Sequence, residues 1–145
     1  MKVLIVYMSI HHRNTEKIAI EMAEAIDAEI AKPCEVENVE KYDLIGLGSG
    51  IYFFRHHRKL IEFVASIPEN KKVFVFSTYG LGNPEIYHRP LKKKLLARKT
   101  KIVGEYACKG YDTFGPLKLM GGINKGKPDE NDLENARKFA MRLIL

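Results

Sequence analysis

Three stretches of this chain are apolar or glycine without a break: Val3-Leu4-Ile5-Val6, Leu44-Ile45-Gly46-Leu47 and Val73-Phe74-Val75-Phe76. A strand with one wet face alternates polar and apolar side chains, whereas a strand covered on both faces does not. Unbroken runs of this length therefore imply a parallel sheet sandwiched between layers of helices. Helical spacing fills the intervals between them. Ile18, Met22, Ala25 and Ile26 mark a helix over 14–26, and Leu60, Ile61, Val64 and Ile67 one over 57–67. Tyr87, Leu91, Leu95 and Leu96 mark a third within 84–97. Leu133, Ala136, Phe139, Ala140 and Leu143 mark the last, over 129–145, with Asp129 placed as its N-cap. Strands are expected at 2–7, 28–33, 44–48, 72–77 and 101–108, the second of them weak and short. Residues 31–42 carry no convincing helical pattern, so the second crossover is expected to be short or irregular. The expectation is one α/β domain of 145 residues, built on a doubly wound, five-stranded parallel sheet.

Composition narrows the classes of function. A content of 46% hydrophobic and 29% charged residues describes an ordinary globular protein. The apolar runs are too short to span a bilayer, and a single Lys before the first strand is not a signal-peptide layout, so a cytoplasmic location is expected. Cys34 and Cys108 match no zinc or redox spacing and are expected to be reduced thiols. The net charge of +6 points to an anionic ligand or partner. Lys92, Lys93, Lys94, Arg98, Lys99 and Lys101 concentrate part of that charge. This run reads either as the solvated face of a helix or as a docking surface for an acidic partner. No nucleic-acid module accompanies it, and none is expected to bind.

In an open parallel sheet a ligand sits beyond the carboxyl ends of the strands, where the strand order switches. Three segments, 9–15, 49–57 and 78–83, follow such ends and should converge. In the first, Ser9, Asn14 and Thr15 offer neutral donors and Arg13 a charged one, at the N-terminus of a helix whose free N–H groups favour an anion. The second and third carry Gly50, Gly80 and Gly82 for close backbone approach, with Tyr52, Phe53 and Tyr79 to lie against a flat ring. The pairs His11-His12 and His56-His57 lack accompanying carboxylates at ligand spacing. They are expected to add positive charge near a phosphate, and no metal site is expected. Residues 109–128 form a long segment without periodicity, which usually signals function.

The stretch Ile5-Val6-Tyr7-Met8-Ser9, followed by Asn14-Thr15-Glu16-Lys17-Ile18-Ala19, resembles the first loop of the flavodoxins, and the resemblance covers essentially the whole chain. It implies a three-layer α/β/α fold with strand order 2-1-3-4-5 and a non-covalently bound FMN. It also implies electron transfer without a catalytic acid or base. The partner would be a redox protein with an acidic face or a small-molecule acceptor. The FMN contacts it implies are Ser9, His11, His12, Arg13, Asn14 and Thr15 in the first loop. In the second they are Ser49, Gly50, Ile51, Tyr52 and Phe53, and in the third Thr78, Tyr79, Gly80, Leu81 and Gly82. His11-His12-Arg13 stands where flavodoxins usually have Thr-Gly, so the phosphate nest is expected to be shaped differently, with Arg13 or a His supplying charge. Residues 48–60 are also similar to the corresponding loop of flavodoxin-type protoporphyrinogen oxidases and quinone reductases. An FMN-dependent oxidoreductase is therefore the second reading, and a flavin-free binding module on the same fold the third.

Overall fold

The unbroken apolar runs become the central strands β1 (Val3–Met8), β3 (Leu44–Tyr52) and β5 (Lys72–Tyr79). In the computed structural model, which describes residues 1–113, 117 and 121–145, these strands pair in parallel and lie between two helical layers. β2 (Glu29–Ala31) and β6 (Lys101–Lys109) close the two edges, giving the order β2-β1-β3-β5-β6. Numbered among the parallel strands alone, this is 2-1-3-4-5. A short β4 (Arg55–His56), absent from the expected set, folds back antiparallel on the end of β3.

The pleat divides each central strand between two cores. Val3, Ile5, Tyr7, Phe74 and Phe76 face α1 (Asn14–Ile26) and α4 (Glu130–Ile144). Leu4, Val6, Ile45, Leu47, Val73 and Val75 face α2 (Arg58–Phe63) and α3 (Pro84–Ala97). Gly46 and Gly48 are small because the rings of Phe74 and Phe76, one strand away, lie where a Cβ would stand. β6 departs from the unbroken pattern. As an edge strand it alternates exposed and half-buried residues, leaving Val103 at the surface.

The helices differ from expectation in detail. α2 is shorter than the spacing suggests: it ends at Phe63 and tightens into a 3₁₀ turn over Val64–Ser66. Pro68 disfavours the helical conformation at Ile67, and the Ser66 hydroxyl donates to the Phe63 carbonyl at 2.7 Å. On α3, Leu91 and Leu95 are buried as expected, but Leu96 points to solvent. α4 starts as expected: Asp129 accepts from the Asp132 N–H, and Asp132 reciprocates in a capping box. Between β2 and β3 there is only a 3₁₀ turn, Pro33–Glu35. Val39 and Tyr42 fill the core beneath that crossover instead of a helix. Among the described residues no helix is long and apolar enough to cross a membrane.

Candidate functional site

The loops after β1, β3, β5 and β6 meet at the carboxyl edge of the sheet and enclose a cleft of about 340 Å³. In the first loop, His12 and Arg13 both adopt left-handed conformations, with φ of 54° and 55°. A side chain in that region costs ~1–2 kcal/mol per residue relative to a right-handed one. The turn that a glycine would make freely is thus made here by a histidine and an arginine under strain. Neither of them lines the cleft. Arg13 swings back onto Glu16, Nη2 to Oε1 at 2.8 Å, with its side chain 74% exposed. His12 bonds through Nε2 to the Thr113 hydroxyl at 2.9 Å, its ring lying 4.3 Å from that of Tyr111. The expectation that Arg13 brings charge to the site is therefore corrected, because its guanidinium is engaged by a carboxylate on its own helix.

Ser9, His11, Asn14 and Thr15 do line the cleft. Ser9 Oγ accepts the Glu16 backbone N–H at 3.2 Å, which leaves the hydroxyl proton free to donate outward. Asn14 is buried. Its Nδ2 donates to the Tyr111 carbonyl at 2.9 Å, while its Oδ1 has no partner. The Thr15 and Thr78 hydroxyls bond to each other at 2.8 Å, so one of the two keeps a proton to give.

β3 continues past its expected end at Gly48 to Tyr52, then turns sharply through Phe53 and Phe54 into β4. Both central residues of that turn have positive φ, 51° and 67°. A two-residue turn of this kind normally uses Asn-Gly, since bulky side chains strain it. Gly50, Ile51, Tyr52, Phe53 and Phe54 line the cleft. Burial raises the Tyr52 hydroxyl pKa above its ordinary value. Ser49, expected in the site, lies below it. Its hydroxyl donates to the Gly50 carbonyl at 2.6 Å and accepts the His57 N–H at 3.0 Å, tying the hairpin to the strand.

Thr78, Tyr79, Gly80 and Leu81 form the facing wall. Gly82 stands behind it with φ 94°, the Tyr87 hydroxyl occupying the place of a Cβ. Five lining residues went unselected in the sequence reading: Phe54, Tyr87, Gly110, Tyr111 and Asp112. Gly110-Tyr111-Asp112 directly follows the last strand, the one signal that could have found them. The segment is held in place by Asn124, whose Nδ2 donates to the carbonyls of Gly80 (2.9 Å) and Gly110 (3.3 Å). It approaches Asn14 so closely that a Cβ on Gly110 would lie 2.5 Å from Asn14 Nδ2. Residues 114–116 and 118–120 of the long segment fall outside the described residues.

The second histidine pair does not act as expected. His56 is buried under the hairpin, its Nε2 bonded to the Phe76 carbonyl at 2.9 Å, and its Nδ1 has no partner. Burial, with His88 beside it, pushes the His56 pKa down to about 3, so it stays neutral. Burial also lowers that of His57, followed by its cationic neighbours Lys59 and Arg58. Beside His56 a chain of contacts runs from the Ser77 hydroxyl to His88 Nε2 (2.6 Å), and from His88 Nδ1 to Glu105 (2.8 Å). Lys92 holds the other Glu105 oxygen at 2.8 Å. This has the connectivity of a Ser-His-carboxylate triad, but Ser77 and His88 are buried and neither lines the cleft. No substrate can reach the hydroxyl, so the cluster is a structural polar plug. Among the described residues no group of three or more His, Cys, Asp or Glu side chains is placed to hold a metal ion.

Residues 4–143 match the model of the flavodoxin domain family. The chain belongs to that family. An uncharacterised protein from Methanocaldococcus jannaschii is 46% identical over 148 aligned residues, covering 99% of both chains. Among solved structures, a flavodoxin from the domain Archaea superposes with a TM-score of 0.72 at 17% identity, over 99% of this chain and 96% of that one. Oxidised Flavodoxin 2 from Bacillus cereus gives 0.70 at 22% identity, over 99% and 98%. Rubredoxin:oxygen oxidoreductase from Desulfovibrio gigas gives 0.73 at 17% identity, over 97% of this chain and 34% of that one. At these identities the structural likenesses establish the flavodoxin fold. The flavodoxin family in turn implies a flavin cofactor.

Proposed function

We propose that this chain binds FMN in the carboxyl-edge cleft and serves as an electron carrier. The observation that carries the reading is the donor and acceptor set of the cleft wall. A buried Asn14 Oδ1 without a partner is a group that normally costs ~1–3 kcal/mol to leave unsatisfied. A ribityl hydroxyl is a donor that would satisfy it. The free proton of Ser9 and the positive end of the α1 dipole suit a phosphate. The Thr15–Thr78 pair supplies one further donor. Tyr52, Phe53 and Tyr79 provide aromatic faces, and Gly50 and Gly80 let backbone groups come close to a planar ring. The residues present fit the cofactor.

Bound FMN would supply the one- and two-electron chemistry, and the protein the binding, orientation and electrostatics. Arg13 and His12 are occupied elsewhere, and no Lys or Arg stands among the described lining residues. The phosphate is then held mainly by neutral donors and the helix terminus. No side chain is assigned as catalytic acid or base.

Parallel titration with FMN and riboflavin, followed by quenching of flavin fluorescence, tests the reading. FMN is expected to bind more tightly than riboflavin. Ser9→Ala is expected to weaken FMN by ~1.5–3 kcal/mol, the range for a hydrogen bond to a charged group, and to leave riboflavin nearly unchanged. Failure of the protein to bind either flavin would overturn the proposal.

A further inference from the structure

The tip of the β3–β4 hairpin is costly twice over. Phe53 and Phe54 both hold left-handed backbone conformations, and both rings stand out from the molecule, 86% and 75% exposed. Neither belongs to a hydrophobic core. Strain and apolar exposure at one turn bring nothing to folding, and backbone outliers of this kind concentrate at functional sites. Leu81 and Ile10, at 65% and 52% exposure, extend the apolar rim around the cleft mouth.

The hairpin and the start of α2 that follows it carry the cations Arg55, Arg58 and Lys59, all exposed, and 48–61 contains no carboxylate. Arg58 meets Glu62 at 3.5 Å, a pair exposed on both sides and hence weak. Arg55 and Lys59 make no ion pair with any described residue. The basic run of 92–101, by contrast, lies on the second half of α3 and the turn into β6, at the end of the sheet opposite the cleft. There Arg98 donates to the Ile67 carbonyl at 2.6 Å and Lys92 is held by Glu105. A partner exchanging electrons through the cleft would not meet that run.

We propose that the Phe53-Phe54 tip, with Arg55, Arg58 and Lys59 beside it, is the docking surface for a small electron-transfer protein with an acidic face. This rests on the carrier reading above and names its partner class. Charge complementarity supplies steering and orientation, and the two rings supply the desolvated centre of a small, transient interface. A protein is favoured over an anionic bilayer. Asp112 lines the cleft beside the tip and Glu62 stands against Arg58, and a patterned protein surface can avoid such carboxylates where a uniformly charged plane cannot. Two rings and three cations are also a thin anchor for a membrane.

The test is an amide-shift NMR titration of the flavin-loaded protein with an oxidised, acidic ferredoxin at 20 and 200 mM NaCl. The perturbed amides are expected at 52–59, 10–12 and 80–82, with affinity falling about tenfold at the higher salt. Arg55→Glu/Arg58→Glu/Lys59→Glu is expected to weaken binding about tenfold and flatten the salt dependence. FMN affinity should be unchanged, since none of the three lines the cleft. Phe54→Ser is expected to weaken binding while keeping the salt dependence. Lys93→Glu/Lys94→Glu/Lys101→Glu at the far end is expected to change nothing. The proposal is overturned if the far-end variant loses binding and the hairpin variant does not, or if no saturable binding occurs at 20 mM NaCl. It is equally overturned if the protein co-sediments with phosphatidylglycerol vesicles through Phe54. FMN titration of the same samples separates these failures from a failure of the flavin reading.

Discussion

Acidification should destabilise this protein chiefly through His56, well before its carboxylates titrate. The ring is buried, and burial with the neighbouring His88 lowers its pKa from the ordinary 6.5 to about 3. The unfolded chain therefore takes up a proton that the folded chain refuses. Stability is full above about pH 6.5 and falls as the pH drops toward 3. From pH 7 to pH 5 the linkage integral for one such group is about 2 kcal/mol. That is a large part of a typical stability of roughly 5–15 kcal/mol. His88, lowered in the same direction by burial against the pull of Glu105, adds to the slope. The contribution of His56 is isolated by His56→Gln, whose Nε2 can still donate to the Phe76 carbonyl but does not titrate. Urea unfolding at pH 7, 6 and 5 should show the variant losing about 2 kcal/mol less than the wild type over that range. Proton NMR of the wild-type imidazole gives a second readout, with no titration of His56 down to pH 4. Equal pH slopes in both proteins, or a ring titrating near 6.5, would refute the reasoning.

Other consequences follow from particular contacts. Asn14→Ala should weaken FMN and riboflavin alike, by ~1–3 kcal/mol. Its free oxygen asks for a donor, which a polyol offers and a phosphate dianion does not; a loss confined to FMN would move Asn14 to the phosphate. Thr15→Val should lower thermal stability modestly, by ~1 kcal/mol, by breaking the buried Thr15–Thr78 hydrogen bond. Unchanged melting would show that pair to be idle. Gly48→Ala drives a methyl into the Phe76 ring and should cost ~1–3 kcal/mol in denaturant unfolding, whereas Gly126→Ala, in open space though at positive φ, should not crowd any neighbour. Ala at the aromatic that contacts the flavin, Tyr52, Phe53 or Tyr79, should restore flavin emission and loosen binding by ~1–2 kcal/mol. Three silent substitutions would place the ring elsewhere.

What was legible in the chain is what depends on residues near one another in sequence. Unbroken apolar runs specify strands covered on both faces, and spacing of three and four specifies the faces of α1, α3 and α4. Asp129 caps the helix that follows it because a short polar side chain reaches the N–H three residues on wherever the chain goes. The first loop could be recognised as part of a ligand site because a strand opening into a helix N-terminus presents free N–H groups whatever surrounds it. Assignment of tasks within that loop was decided elsewhere. Arg13 and His12 look like ligands in sequence, but Glu16 and the pair Tyr111 and Thr113 compete for them, and two of those three partners lie about a hundred positions away. Ser49 and His56 sit in a stretch rich in candidate groups, yet the hairpin turns one into a tether and buries the other. Gly110, Tyr111 and Asp112 reach the cleft only because β6 lies beside β5 and Asn124 fastens its exit to the third loop. Local propensity and periodicity belong to the sequence itself. Which polar group stays free for a ligand depends on which others are within reach, and proximity across the sheet exists only once the chain has folded.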